Sequence, residues 1–535
     1  MKLTTDNPDQ LEYSNNLMDF TVLGGIRLDG LDRMRVTLKV GLKGSACPPV
    51  RHNLDLYNDV QVEKFVRKTA ERLETGTSLI AAGLNELTNE LESYRLMMLE
   101  KTREDQYKPR ELGEKEQIEA ETFLKQPNLL SHTNELIGQS GVIGEELNRL
   151  LMYIIFTSRK REQPLHVVSL GSSGTGKTHL QEKVGGLMPE EDRIEITTLS
   201  ENAFYYFGQR ELKHKLILIE DLDGAENVLY PLRELQSKKR ISKTIARKNS
   251  RGETRTMHLT VEGPVSVAGC TTREQIYEDN ANRSFLIYVD ESPEQDQQVM
   301  EYQRKLSAGK INTDEQEKTA ELLRNCQRIL KPVKVVNPFA ELLRLPKEVF
   351  KPRRTNTHYL QFIEAVTFYH QYQREQEANH ETGEIIIKTT IEDIAGANKL
   401  MKEILLHKSD ELTGVCRNYF ECLKDWLHEE RKTEFTNFQA RQALRENHSN
   451  QKRYMIQLQQ QGYVQRTTGD KKKGYYYKIT DMEEYQKLKQ GIDNVLDDIF
   501  LNIQQEVQSS KEVHHPNEPL KRKITNKKLQ EVQQP

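Results

Sequence analysis

Apolar and polar positions change period several times along this chain. In FTVLGGIRLDGLDRMRVTLKV (residues 20–40) they alternate around turn glycines, which predicts a small β-hairpin unit. From Asp59 to Glu100 apolar residues recur near i, i+3, i+4 and i+7, the spacing of helices. Lys101 to Glu121 is almost wholly charged and polar and reads as a solvated helix or linker. A helical run, GEELNRLLMYIIFTSRK, then precedes an apolar strand at Leu165–Leu170. Further strands are predicted at Arg193–Leu199, Lys215–Ile219 and Pro264–Ala268, with helical segments between them. That alternation implies an α/β core, a parallel sheet covered on both faces. Thr389–Leu406 and Gly414–Glu430 read as helices, and the last thirty residues are polar enough to be expected disordered.

The junction after the first core strand carries the sharpest chemistry. In LHVVSLGSSGTGKTHLQEKV, the residues Gly171, Ser172, Ser173, Gly174, Thr175, Gly176, Lys177 and Thr178 satisfy G-x-x-x-x-G-K-[ST] between a strand and a helix. The glycines let backbone N–H groups close around phosphates, and Lys177 reaches the β/γ oxygens. The Thr178 hydroxyl suits Mg²⁺, and the helix N-terminus adds its positive dipole. A chance glycine-rich turn is a poor rival for eight matched positions in that context. A second signal is KLILIEDLDG, where a buried strand delivers Glu220 and Asp221 at its C-terminal end. Such a pair holds Mg²⁺ and polarises an attacking water, although a strand ending in acids is by itself often only solvated. Which acid does which task stays open.

Two segments further on, Ile241–Arg247 and Thr254–Val261 alternate like hairpin strands, with Arg247, Lys248, Arg251 and Arg255 at or near the tip. These suit phosphate contacts without base readout; an ordinary surface hairpin would look the same. The next strand, PVSVAGCTT, ends in Thr271, and Arg283 precedes the strand after it. Thr271 is placed to position a lytic water, and Arg283 to stabilise charge in a neighbouring subunit's site. Near the C-terminus, TEFTNFQARQALREN and SNQKRYMIQLQQQGYVQR predict two short helices, the first capped by Thr436. RTTGDKKKGYYYKI predicts a β-ribbon tipped by Lys471, Lys472 and Lys473. Helix–helix–basic ribbon is the pattern of a winged helix, used on DNA or as a protein-docking module. Tyr475, Tyr476 and Tyr477 suit base stacking or a core face equally.

Composition narrows these readings. The chain has 535 residues, 30% charged and 36% hydrophobic, with a net charge of −3. Nucleic-acid binding must therefore come from local patches. Length allows roughly three or four domains. Mean hydropathy is −0.75, and no apolar stretch approaches the ~20 residues of a membrane span. The N-terminus lacks a secretory apolar core, so a cytoplasmic protein away from membranes is expected. Five scattered cysteines, without C-x-x-C, argue against structural zinc or a disulfide framework.

Taken in order, the P-loop, acid-ended strand, basic hairpin, polar strand end and N-R-S-F resemble the AAA+ ATPases with a hairpin before the sensor 1 strand. The segment LQSKKRISKTIARKNSRGETRTMHLTVEGPVSVAGCTT and the stretch TTIEDIAGANKLM resemble minichromosome-maintenance (MCM-like) helicases. The chain also resembles the helicase-like ATPases that accompany DNA primases on bacterial mobile elements. The likeness covers roughly residues 129–410. It implies ATP and Mg²⁺ held by Lys177, Thr178, Glu220 and Asp221, sensor 1 at Thr271, an arginine finger at Arg283 and sensor 2 at Arg354. The Glu-Asp order, the spacing after Arg354 and the missing zinc site depart from the MCM pattern. The implied organisation is an α+β region at 1–125, an AAA+ core at 129–335 and a helical lid at 336–410. A winged helix at 414–482 and a disordered tail at 505–535 follow. The implied activity is DNA unwinding or translocation by a homo-hexameric ring, with a primase or other replication partner. The alternative is an ATP-switched initiator, helicase loader or transposition regulator.

Overall fold

A computed structural model describes residues 3–28, 33–45, 47–106, 110–197, 202–223, 229–248, 254–272, 283–345, 352–378, 383–470 and 474–512. At 6, 99–106, 245–248, 254, 255, 257, 470, 507 and 509–512 it describes the backbone alone. Two compact units divide the chain, Met1–Glu111 and Leu112–Pro535.

In the first unit, β1 (Thr4–Asn7), β2 (Gln10–Ser14), β3 (Met18–Leu23), β4 (Arg35–Leu42) and β5 (Val50–Asp55) form an antiparallel sheet in chain order. The expected hairpin is therefore the centre of a five-stranded meander. Its flanking strands bury few residues, Leu11 and Tyr13 alternating on β2 and only Val50 and Leu54 on β5, and so give a weak signal. α1 (Asp59–Arg72) and α2 (Thr77–Gln106) supply Phe65, Ile80, Leu84 and Leu87 to the same core. Helix α2 approaches the sheet at Gly83, where a Cβ would stand 2.8 Å from the Phe20 ring.

The second unit opens with α3 (Glu114–Leu124), α4 (Leu129–Gln139) and α5 (Glu146–Thr157). The stretch expected to be solvated thus ends in a helix that buries Ala120, Phe123 and Leu124 in the core of this unit. The central segment runs β6 (His166–Leu170), α6 (Lys177–Gly185), β7 (Arg193–Ile196), β8 (Lys215–Ile219) and α7 (Leu229–Lys238). A hairpin, β9 (Arg240–Lys248) and β10 (Thr254–Glu262), leads into β11 (Val265–Thr271) and β12 (Phe285–Tyr288). The sheet is parallel with order β12-β6-β11-β8-β7. Alternate residues leave its two faces for different cores: Val167, Leu216 and Leu218 join the helix-rich cluster, while Val168, Ile217 and Ile219 pack with α7. This explains the near-continuous apolar strands.

Beyond the sheet lie α8 (Pro293–Ser307), α9 (Thr313–Ile329), β13 (Lys334–Val336), α10 (Pro352–Tyr369), β14 (Glu377–Ala378), β15 (Ile385–Lys388) and α11 (Ile391–Ser409). A small sheet, β13-β15-β14, sits among these helices, where only helices were expected. The C-terminal module consists of α12 (Gly414–Glu429), β16 (Phe435–Thr436), α13 (Asn437–Ala443), α14 (His448–Gln460), β17 (Val464–Asp470) and β18 (Gly474–Ile479). β16, β18 and β17 form an antiparallel sheet. Helix α15 (Glu484–Glu512) returns to the main core through Ile492, Leu496, Ile499 and Ile503. Residues 505–512 of the expected tail are therefore helical; 513–535 lie outside the described residues. Among the described residues no helix is long and apolar enough to cross a membrane.

Candidate functional site

Leu170 ends β6, and the chain turns at once through Gly171 (φ +153°), Gly174 (φ +86°) and Gly176 (φ +89°) into α6. These left-handed conformations strain any residue with a Cβ. Lys177 is buried, and its Nζ donates to the carbonyl oxygens of Gly171, at 2.9 Å, and Ser172. The Thr175 hydroxyl donates to the Ser172 carbonyl at 3.0 Å. The Ser172 N–H donates to the Glu291 carboxylate at 3.0 Å, tying the loop to the chain leaving β12. Ser173, Gly174 and Gly176 are exposed.

The order of the sheet gathers the other candidates. β11 lies between β6 and β8, with Thr271 level with Leu170 and Gly269 level with Ile219. Thr271 therefore stands between the loop and the Glu220–Asp221 pair. Glu220 is half-buried and accepts a hydrogen bond from the Thr197 hydroxyl at 3.0 Å; Asp221 is exposed. Two residues not singled out in the sequence complete the arrangement. Asp223 accepts from the Thr271 hydroxyl at 2.5 Å, and from the N–H and hydroxyl of Thr272 at 3.0 and 2.7 Å. It fixes the end of β11. Buried Gln181 on α6 donates to the Ile219 carbonyl at 3.0 Å and accepts from the Cys270 thiol at 3.5 Å. Burial pushes that thiol up to about 11. The third acid of EDLD was the available signal for Asp223; Gln181 had none.

Arg283 and Arg354 lie at the opposite end of the sheet. They share a cavity of about 270 Å³ with Leu165 and His166, where β6 begins. With five residues in β6, that end is about 16 Å from the loop. Arg283 is half-buried rather than standing out in solvent, and its Nε donates to the Ser237 hydroxyl at 2.9 Å. Arg354 is exposed on the first turn of α10. Two buried histidines, His166 and His358, line the same cavity. Burial holds both imidazoles neutral, His166 being pushed down to about 3.

In the hairpin, nine residue pairs run from Glu262↔Arg240 to Thr254↔Lys248, with Arg255 opposite Arg247. Its base is anchored through buried Ile241 and Val261, and further along β9 Lys243 donates to Asn202 and lies over the Tyr205 ring at 5.3 Å. Arg251 lies outside the described residues, as do Lys471, Lys472 and Lys473. On β18 the three tyrosines separate: Tyr477 packs on Phe435, Tyr475 lies under the Arg466 guanidinium, and Tyr476 is exposed.

Strand, glycine loop, buried lysine and flanking acid-ended strand define a P-loop NTPase domain, and with it a nucleotide-binding protein. The family model of the MTBMA_p00010 P-loop domain matches residues 114–332, from the first helical residue of α3 to just before β13. No curated protein matches the chain.

The donors available fit a phosphate-bound Mg²⁺. Thr178, Glu220 and Asp221 offer oxygen, and among the described residues no group of three or more His, Cys, Asp or Glu forms a metal cage. Mg²⁺ is commonly held by one or two carboxylates with substrate phosphates supplying the rest.

Proposed function

We propose that the protein is an AAA+ ATPase that works as a hexameric ring to unwind or translocate DNA in replication, on the pattern of MCM-like helicases. The observation that carries this is the long β9–β10 hairpin, rooted at its base by Ile241 and Val261 and joined directly to the strand that ends at Thr271. Nine residues at ~3.4 Å each give a rod about 30 Å long. Movement at the γ-phosphate end of the site would be passed to Arg247, Lys248, Arg251 and Arg255, the positions assigned to DNA phosphates.

ATP is the proposed nucleotide, its phosphates on the P-loop. Mg²⁺, held by Thr178 and the Glu220–Asp221 pair, would neutralise phosphate charge there. Glu220 and Asp221 orient the attacking water and accept its proton, with Thr271 fixed beside them. Arg283 and Arg354 stand too far from their own P-loop to touch its nucleotide, which supports roles in the site of the next subunit. Residues 336–410 are read as the lid and 414–482 as a winged helix. Its ribbon tip, Lys471–Lys473, would rest on the DNA backbone beside exposed Tyr476.

The test is ATP hydrolysis with and without single-stranded DNA, followed by forked-duplex unwinding, with Lys177→Ala as control. DNA stimulation and unwinding, both lost in the control, support the motor. The helix–ribbon module favours a second reading, an ATP-switched DNA-binding initiator or helicase loader. ATP-dependent DNA binding without unwinding would decide for it.

A further inference from the structure

A cleft of about 400 Å³ opens beside the P-loop. One wall is Ser172 and Glu291; the other belongs to the C-terminal module, with Asn418 and Cys422 on α12 and Asn450 on α14. Its floor is a pair of buried tyrosines, Tyr419 and Tyr454, with ring centroids 5.0 Å apart. No lysine, arginine or histidine lines it among the described residues, while Glu291 and Glu446 add two carboxylates. Such a cleft repels phosphate. It suits a neutral, flat, hydrogen-bonding group, and its volume falls within the ~300–1,000 Å³ of small-molecule sites.

The sheet says which group this is. The acid pair and Thr271 lie on the β11–β8 side of β6, whereas Glu291 and the cleft lie on the β12 side. A triphosphate over the N-terminus of α6, its terminal phosphate toward the acids, points its other end at the cleft. We infer that this cleft is the nucleoside subsite, so that the C-terminal module closes the nucleotide site of its own subunit. Glu291 accepts from sugar hydroxyls. Asn418 and Asn450, the latter oriented by a 3.0 Å bond from its Nδ2 to Glu446, read the base edge. The module meets the core where Gly414, at the start of α12, lies against the Tyr288 ring at the end of β12, close enough that a Cβ there would stand 2.3 Å from it. Nucleotide occupancy is thereby coupled to the placement of α12 and the ribbon it carries. The inference rests on the P-loop holding the phosphates.

Cys422 is the exposed cysteine of the five and lines the cleft. In a Cys47→Ser background, its alkylation by iodoacetamide is followed with and without ADP, and with tripolyphosphate. ADP at ten times its Kd is expected to slow the reaction about tenfold, and tripolyphosphate to leave it unchanged. Asn418→Trp, which fills the cleft from an exposed position, is expected to weaken ADP about tenfold while tripolyphosphate binds as before. Unchanged alkylation with ADP bound, as shown by calorimetry, overturns the subsite. Equal protection by tripolyphosphate overturns it too, because the effect would then belong to the loop. Failure of ADP to bind at all overturns the P-loop reading and the subsite with it.

Discussion

At the scale of single residues, the site depends on side chains that hold others in place. Three hydrogen bonds from Thr271 and Thr272 end on the Asp223 carboxylate, and its own N–H donates to Asp221 at 2.8 Å. Asp223→Ala should free the end of β11 and lower kcat by about two orders of magnitude, with nucleotide affinity within about twofold, because the loss falls on positioning. Steady-state ATPase beside nucleotide titration separates the two parameters. His166 provides a pH test. Its folded-state value of about 3 lies below the ordinary 6.5, so the unfolded chain takes up the proton first. The stability this contributes is complete above pH 6.5 and drains away between 6.5 and 3, at up to ~1.4 kcal/mol per pH unit. His166→Phe should flatten that stretch of a denaturation profile measured across pH. The P-loop was legible in the chain because each of its residues has a fixed spacing and a separate task. Gln181, Glu291 and Asp223 were not, since each earns its place through a neighbour that only the fold supplies.

Elements differ in how much of themselves they display in sequence. β6, β8 and β11 are buried on both faces, and their apolar runs stand out. The flanking strands of the first unit bury one face, and β14 has two residues, both exposed; such strands leave little trace. Helix α15 shows a further difficulty. Its apolar positions are spaced for a helix, but a Gln- and Lys-rich setting conceals a surface that packs into the main core. Docking between elements is equally hidden. A Cβ on Gly414 would lie 2.3 Å from Cε1 of Tyr288, whose ring already packs on His407 at 4.7 Å. Gly414→Ala should cost about 1–3 kcal/mol through overpacking. Denaturant unfolding monitored at Trp426, within the C-terminal module, would detect it; wild-type stability would show that α12 has room to shift.

For the whole molecule, the separation of the P-loop from Arg283 and Arg354 makes a distinctive prediction. Lys177→Ala and Arg283→Ala should each abolish hydrolysis alone. Mixed in equal amounts, they should recover about a quarter of wild-type activity, since random assembly pairs an intact loop with an intact neighbouring arginine in one site of four. No recovery after subunit exchange would mean that Arg283 serves its own subunit or none. The order of the sheet, with β12 and β8 on opposite sides of the loop strand, could not be read from the chain, because parallel strands are joined over long distances. That order sets the acids and the cleft on opposite sides of the loop strand, while the arginines lie at the far end of the parallel strands.

With Arg283 and Arg354 acting on a neighbour's nucleotide, as proposed, the same separation would give each copy a donor pole and an acceptor pole. Two copies facing each other about a twofold axis would meet like to like, and neither would complete the other. Association that satisfied one pole would always expose the next, so an open row of any length would end with one idle nucleotide site and one idle arginine pair. Only a closed circuit would leave none, and every nucleotide in it would then be answerable to a neighbour.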